Sequence, residues 1–205
     1  FMEVKRGCMI AVSAISEIGD KILLSNGEKI CYTKRKKRML REERQKKQEL
    51  LIAKISKKKL PLTPEEYGKY YKICDSLPFA FTDIEMVFNE EKKAVDWIFR
   101  YGNEALATLE KLPLDKMIGN SFSSLFSNMD AKWLHVYERA TLYGETLEIM
   151  DYSPEIDTNL KIICFPTFPG HCGCILFNAD QMKSISEENH LVRLAAVALK
   201  SNPTI

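Results

Sequence analysis

The clearest pattern in the chain lies between Val95 and Leu109, where a strand-like apolar run changes into a helical one. β-Branched and aromatic residues fill the first half, as is typical of a buried strand. Gly102 ends this run. Asn103 can cap the helix that follows, because its side chain accepts hydrogen bonds from backbone N–H groups without partners in the first turn. The stretch therefore predicts a strand that turns directly into a helix.

Similar patterns predict the elements on both sides. A capping box at Thr63 and Glu66, with Pro64 in the first turn, predicts a helix that carries several tyrosines. Asp130 is expected to cap an amphipathic helix that ends at Gly144. A final helix is predicted from Ser184, and four further strands are predicted over Phe81–Phe88, Glu145–Tyr152, Asn159–Thr167 and Cys172–Asn178. Together with the run from Val95, these make five strands.

The N-terminal part alternates in shorter pieces. Three apolar runs, Cys8–Val12, Lys21–Leu24 and Lys29–Thr33, are separated by turn signals, of which Asn26-Gly27 is the strongest. They predict a small antiparallel meander. Residues 34–59 contain no Gly or Pro and many strong helix formers, so one long connecting helix is expected there. It is either a solvated helix or a signalling connector that dimerises at Leu51 and Ile55.

The stretch DWIFRYGNEALATL resembles the second strand and first helix of a PAS sensory domain, and the resemblance covers roughly Leu77 to Asp180. It implies an α+β chain with a PAS fold, a five-stranded antiparallel sheet with helices on one face. Residues 113–119 and 121–126 resemble the second and third short helices of the family. PAS domains share a shape and differ in ligand, so the resemblance implies a sensor without naming what is sensed.

On this resemblance, a small apolar or amphipathic ligand is expected between the sheet and the helix over 131–143. The alternative is a filled core without a vacancy. The pocket candidates are the large apolar side chains that the predicted elements would direct inward: Phe81, Trp97, Phe99, Ile118, Trp133, Tyr137, Ile163 and Phe165.

The N-terminal segment resembles the C-terminal half of a LytTR DNA-binding domain, through FMEVKRGCMIAVSAISEI and the basic residues after the last predicted strand. The resemblance implies DNA contacts by Lys5 and Arg6 and by Lys34 and Arg35. Gly7 stands where the family usually has Ser and Ala11 where it usually has Asn, and the first half of the family domain is absent. The alternative is a solvated basic face.

Charge is divided unevenly along the chain. Residues 1–60 contain 17 Lys and Arg against 7 Asp and Glu, whereas residues 61–205 contain 13 against 21. The first part therefore suits phosphate contacts, which are independent of base sequence and weaken with salt. We expect a partial LytTR-like segment over 1–40, a helical connector and linker over 41–62, a PAS domain with its flanking helix over 63–182, and a C-terminal helix over 183–205.

Few residues point to a cofactor or to catalysis. His135 lies where haem-binding PAS domains place their axial ligand, but a lone histidine at helical spacing is more often a surface or core residue. Residues 119–122, GNSF, lack the reactive Cys of flavin-binding LOV domains. His171, Cys172, Cys174 and Cys164 are close enough in the predicted sheet to suggest zinc, although the usual CxxC spacing is missing. Haem, flavin and zinc are therefore not expected.

The remaining signals favour a non-enzymatic protein. Asp151, Glu155 and Asp157 flank a proline turn and are expected to be solvated, and no catalytic triad, phosphate-binding loop or GGDEF motif is present. No apolar run reaches the roughly 20 residues of a membrane span. We expect a cytoplasmic, dimeric PAS-type sensor that regulates transcription. The alternatives are a dimerisation module and the sensory part of a diguanylate cyclase-type signalling protein.

Overall fold

The computed structural model describes residues 1–56, 63–127 and 131–182 of an α+β chain. Most of the linker, the expected cap Asp130 and the predicted C-terminal helix from Ser184 lie outside the described residues. None of the helices in the described ranges is both long enough and apolar enough to cross a membrane.

The N-terminal part forms two small antiparallel sheets around one core. The first pairs β1 (Met2–Lys5) with β2 (Cys8–Ile10), and the second has the order β3 (Ile15–Ile18), β4 (Ile22–Leu24), β5 (Lys29–Ile30). The prediction of a single meander was wrong in one respect, because the run from Cys8 pairs with β1 instead of joining the other strands. The turn at Asn26-Gly27 is present, with Gly27 at φ 83°.

Helix α1 (Lys37–Ser56) follows a short 3-10 turn, Lys34–Lys36. The α-helix therefore begins three residues later than predicted. Leu40, which is fully buried, anchors it to the core formed by β1–β4, and Ile52 is buried further along. We call residues 1–56 the N-terminal unit. Of the two predicted dimer contacts, Leu51 is half-buried, and the side chain of Ile55 lies outside what the structure describes.

The predicted capping box begins helix α2 (Pro64–Tyr70). The Thr63 side chain accepts a hydrogen bond from the Glu66 backbone, and the Glu66 carboxylate accepts one from the Thr63 backbone. A 3-10 helix, Lys72–Ser76, continues the chain towards the main sheet. We call residues 64–76 the α2 segment. Its residues Tyr67 and Tyr71 are buried, so the segment packs against the rest of the chain.

The main sheet contains five antiparallel strands. They are β6 (Ala80–Phe88), β7 (Ala94–Gly102), β8 (Leu147–Ser153), β9 (Thr158–Pro166) and β10 (His171–Asn178), arranged in the order β7-β6-β10-β9-β8. All five agree with the predicted strands to within one or two residues at each end. The first and last strands of the sheet in chain order, β6 and β10, lie together at its centre.

Four helices connect β7 to β8 and cover one face of the sheet, which we call the inner face. They are α3 (Glu104–Glu110), α4 (Leu114–Met117), α5 (Phe122–Leu125) and α6 (Ala131–Tyr143). Asn103 caps α3 as predicted, since its side chain accepts from the Leu106 N–H. A Cβ at Gly102 would lie 2.6 Å from Leu106, so glycine lets α3 turn back tightly against the sheet.

The opposite, outer face is also covered, in contrast to the prediction of helices on one face only. Tyr67 and Tyr71 of the α2 segment pack against Phe81 and Tyr101 of the sheet. A register shift between β6 and β7 at Asp83 and Ile84 places Tyr101 on this outer face although Phe99 faces inward. The sheet is therefore buried on both sides where α2 crosses it.

Candidate functional site

A cavity lies between the inner face of the sheet and helices α3, α5 and α6. Its walls are aromatic and aliphatic: Trp97 and Phe99 come from β7, Phe122 from α5, and Trp133 and Tyr137 from α6. The strands supply Thr82, Ile84, Leu160, Ile162, Cys174 and Leu176, and α3 supplies Leu106 and Glu110. The cavity has a volume of about 30 Å³, room for one or two water molecules.

Four of the eight predicted pocket residues, Trp97, Phe99, Trp133 and Tyr137, line this cavity. Ile118 packs against the inner core without lining it. Phe81, Ile163 and Phe165 do not reach the cavity. Successive residues of a strand face opposite sides, and the inward positions belong to their neighbours Thr82, Ile162 and Cys164, so these three side chains lie on the outer face.

One corner of the cavity is acidic. Glu110 at the end of α3 and Glu155 after β8 both line it, together with Ser153. The Ser153 hydroxyl donates to Glu155 Oε2 at 2.6 Å, whereas Oε1 of the same carboxylate is buried without a hydrogen-bond partner. Burial, with the nearby charge of Glu155, raises the pKa of Glu110 to about 7. Glu155 was expected to be solvated, and the fold turns it inward instead.

The cysteines and the histidine of the predicted cluster are divided between the two faces of the sheet. Cys164, Cys172 and Cys174 are buried on the inner face, where the sulfur atoms of Cys172 and Cys174 lie 3.8 Å apart. Burial raises the pKa of the Cys174 thiol, which disfavours a metal-binding thiolate. His171 faces outward. Within the described ranges, no three potential ligands are arranged to hold a metal ion.

His171 instead joins a buried polar network beneath α2. Its Nδ1 lies 2.6 Å from Asp83 Oδ1, and its Nε2 lies 3.3 Å from the Tyr67 hydroxyl. The other oxygen of Asp83 accepts from Tyr71 at 2.8 Å and from Thr167 at 2.5 Å. Burial and the charge of Asp83 raise the pKa of Tyr67 to about 12, so its phenol stays protonated. These bonds attach α2 to the sheet.

His135 points away from the cavity, so it is not placed to hold a haem there. Its Nε2 lies 3.3 Å from the Ser16 hydroxyl of the N-terminal unit. Burial, together with Arg139 and Arg44, lowers the pKa of His135, so the imidazole is neutral near pH 7. On the same side of α6, Glu138 accepts a hydrogen bond from Gln48 of α1, which also donates to the Lys92 carbonyl at 3.0 Å. Helix α6 therefore contacts the N-terminal unit.

The predicted DNA-contact residues are exposed where the structure describes them. Lys5 ends β1, and Arg6 lies in the turn at Gly7, which has φ 72°. Arg35 is exposed in the 3-10 turn before α1, and the side chain of Lys34 is outside the description. A positive φ at position 7 suits glycine, which gives a physical reason for Gly7 in this sequence.

The sequence analysis predicted neither the acidic corner at Glu110 and Glu155 nor the buried polar network around Asp83. Glu110 ends a helix of ordinary amphipathic pattern, and nothing in the pattern separates it from a solvated residue. Asp83 offers a weak signal, because a carboxylate within the apolar strand AFTDIEMVF requires buried partners. Its partners come from distant positions.

Comparison with models of protein families and with curated proteins found no match to this chain.

Proposed function

We propose that the chain is a cytoplasmic, non-enzymatic regulator in which a PAS-type sensory domain controls a LytTR-like DNA-binding segment. The observation that carries the proposal is the position of α6. Trp133 and Tyr137 line the cavity, while His135 and Glu138 contact the N-terminal unit. A ligand that favours one position of α6 would therefore also favour one arrangement of the basic segment.

The architecture of the main sheet supports the sensory part of the proposal. Five antiparallel strands, with four connecting helices on the inner face, match what the resemblance at DWIFRYGNEALATL implies. The cavity lies between the sheet and α6, where the resemblance places a ligand. Its volume of about 30 Å³ limits an occupant to very few atoms unless the side chains move.

The charge of the N-terminal unit supports the DNA-binding part. Lys5 and Arg6 are exposed on one turn, and Arg35 is exposed at the start of α1. Basic side chains at such positions can contact phosphates without reading bases. The expected partner is duplex DNA, bound mainly through its backbone.

Fluorescence anisotropy with a labelled DNA duplex, repeated at several salt concentrations, tests this function. The slope of log K against the logarithm of the salt concentration becomes smaller in magnitude by about 0.9 for each phosphate contact that is lost. The double variant Lys5→Ala/Arg6→Ala should therefore bind more weakly, with a slope smaller by about 2. The matched control, Lys72→Ala/Lys116→Ala, removes two exposed charges of the sensory part and should leave the slope unchanged. Salt-independent binding, or none, would overturn the proposal.

The second candidate is an interaction module that forms a homodimer or binds a signalling enzyme. It is favoured by Tyr70 and Ile73, which are 64% and 81% exposed on the α2 segment. Light scattering of the full chain should then show a dimer that Ile73→Asp dissociates. A monomeric wild-type chain would count against a homodimer.

A further inference from the structure

The acidic corner of the cavity has no positively charged partner among the described residues that line it. The carboxyl groups of Glu110 and Glu155 line the cavity. The described residues that line it include no Lys, Arg or His. Ser153 satisfies only Oε2 of Glu155, and Oε1 is buried without a partner. An unpaired carboxylate oxygen away from water is costly, so a hydrogen-bond donor at this point would be stabilised.

The other walls of the cavity suit a cation. Trp97 and Tyr137 meet edge to face with ring centroids 5.1 Å apart, and Trp133 lines the same space. Aromatic faces attract cations, most strongly those that lose their water easily, such as ammonium and its methyl derivatives. Carboxylates and indole rings around one small volume are complementary to a positively charged N–H donor.

The size of the cavity limits which cations can bind there. A volume of about 30 Å³ holds one or two non-hydrogen atoms, since a single water needs about 10–15 Å³ by this measure. Ammonium and methylammonium fit this limit. Choline and tetramethylammonium exceed it.

We propose that this cavity binds ammonium or methylammonium through Glu110 and Glu155, with Trp97, Trp133 and Tyr137 as its aromatic walls. The N–H groups donate to the free oxygen of Glu155 and to Glu110, and the rings take the remaining surface of the cation. The inference deepens the proposed sensory function, on which it rests, by naming the class of its signal.

Protonation of Glu110 competes with the cation. Burial beside Glu155 raises the pKa of Glu110 to about 7, so a neutral carboxyl group is available to fill the acidic corner at lower pH. Besides the two carboxyl groups, the titratable side chains that line the cavity are Tyr137 of α6 and Cys174 of β10, and burial raises the pKa of both, so they are uncharged near neutral pH. Lys111, next to Glu110, lies beside this corner without lining the cavity, and its ammonium group donates to the Ile156 carbonyl at 3.4 Å. Binding should therefore strengthen as Glu110 ionises.

The chain contains two tryptophans, Trp97 and Trp133, and both line the cavity, so intrinsic fluorescence reports on it directly. The full chain is titrated with ammonium chloride at constant ionic strength and about pH 8, where Glu110 is ionised. A saturable change is expected with ammonium and methylammonium. An equal change with sodium, potassium or tetramethylammonium chloride, or no change with ammonium, would overturn the proposal.

Isosteric variants locate the site. Glu110→Gln and Glu155→Gln should each weaken ammonium binding about tenfold or more, because each loses a charged acceptor. Glu148→Gln, at an exposed carboxylate on β8 that pairs with Lys161, is the matched control and should bind as the wild type does. Wild-type affinity in both cavity variants would overturn the assignment.

Nuclear Overhauser effects from ¹⁵N-labelled ammonium to the indole protons of the wild-type chain provide a test that needs no variant. Their presence supports the site, and their absence at saturating ammonium overturns it. The two proposals can fail separately. If the chain binds DNA in a salt-dependent way but does not bind ammonium, only the proposed ligand is overturned. If the chain binds ammonium but not DNA, only the proposed DNA-binding function is overturned.

Discussion

Asp83 and Glu110 show how differently two acidic residues are accommodated in this chain. Asp83 is fully buried, and its oxygens are matched by Tyr71, Thr167 and His171. Glu110 faces another carboxyl group, Glu155, and burial raises its pKa. A carboxylate with several donors stabilises the fold, whereas a carboxylate beside a like charge costs stability once it ionises.

Asp83→Asn should destabilise the chain by about 3–5 kcal/mol, because one of its oxygens is replaced by a donor that faces other donors. Urea unfolding followed by circular dichroism measures the loss. Asp75→Asn is the control, since exposed Asp75 also accepts from a tyrosine, Tyr101, at 2.5 Å. Its cost should stay below about 1 kcal/mol. Equal losses in the two variants would contradict the role given to burial.

Glu110→Gln should change how stability depends on pH. The ordinary pKa of 4.5 applies to the unfolded chain and about 7 to the folded one, so the folded chain binds an extra proton between these values. Wild-type stability therefore falls as the pH rises through this window. The Gln variant lacks this loss and should be more stable than the wild type by up to about 3 kcal/mol at pH 8.

Thermal unfolding in ammonium-free buffers from pH 5 to pH 8 tests this expectation. Glu148→Gln, at an exposed position, should follow the wild-type curve. Parallel curves for the wild type and Glu110→Gln would contradict the raised pKa of Glu110.

At the scale of elements, α6 and the β7–α3 junction organise the molecule. Helix α6 has one side on the cavity and the other on the N-terminal unit. At the junction, Asn103 accepts from the backbone N–H groups of Phe81 and Leu106 and donates to the carbonyls of Cys74 and Phe79. One buried amide therefore caps α3 and also connects it to β6 and the α2 segment.

Asn103→Ala should cost about 3 kcal/mol, more than an ordinary helix cap, because four backbone groups each lose a hydrogen bond to the Asn103 side chain. Chemical unfolding gives the value. Ser121→Ala is the control, since Ser121 stands at the N-cap of α5 without a side-chain capping bond. Its cost should be about 0.5 kcal/mol or less. A similar cost in the two variants would contradict the clamping role of Asn103.

At the scale of the whole molecule, separate cores stabilise the N-terminal unit and the main sheet. Leu40 packs with residues of β1–β4, whereas the inner core of the sheet consists of residues from β6–β10 and α3–α6. Hydrogen bonds between them join His135 to Ser16, and join Glu138 and the Lys92 carbonyl to Gln48. Such a contact can shift without disrupting either core, which suits the transmission of a signal.

Leu40→Ala should destabilise the N-terminal unit by about 3 kcal/mol and leave the main sheet protected. Hydrogen exchange of the full chain, resolved by segment, should show faster exchange in β1–β5 and unchanged exchange in β6–β10. Met39→Ala, at the neighbouring position that is 48% exposed, is the control and should change neither. Faster exchange throughout the chain would show one cooperative unit instead.

Local patterns were sufficient to predict much of this chain. The five strands, the capping box at Thr63, the helix cap at Asn103 and the turn at Gly27 were all confirmed. Each depends on residues close together in the sequence, because strand alternation and helix capping act over a few positions. The aromatic cavity walls followed from strand alternation in β7 and from helical spacing in α6.

Only the tertiary structure decided which face each strand turns inward and which polar groups meet. Phe81 and Phe165 lie under α2, outside the cavity, because the inward positions on their strands belong to neighbours one residue away. Glu110 meets Glu155, and Asp83 meets His171, across 45 and 88 positions of sequence. Patterns of period 2 or 3.6 carry no information about such pairings, because they arise when distant elements pack together.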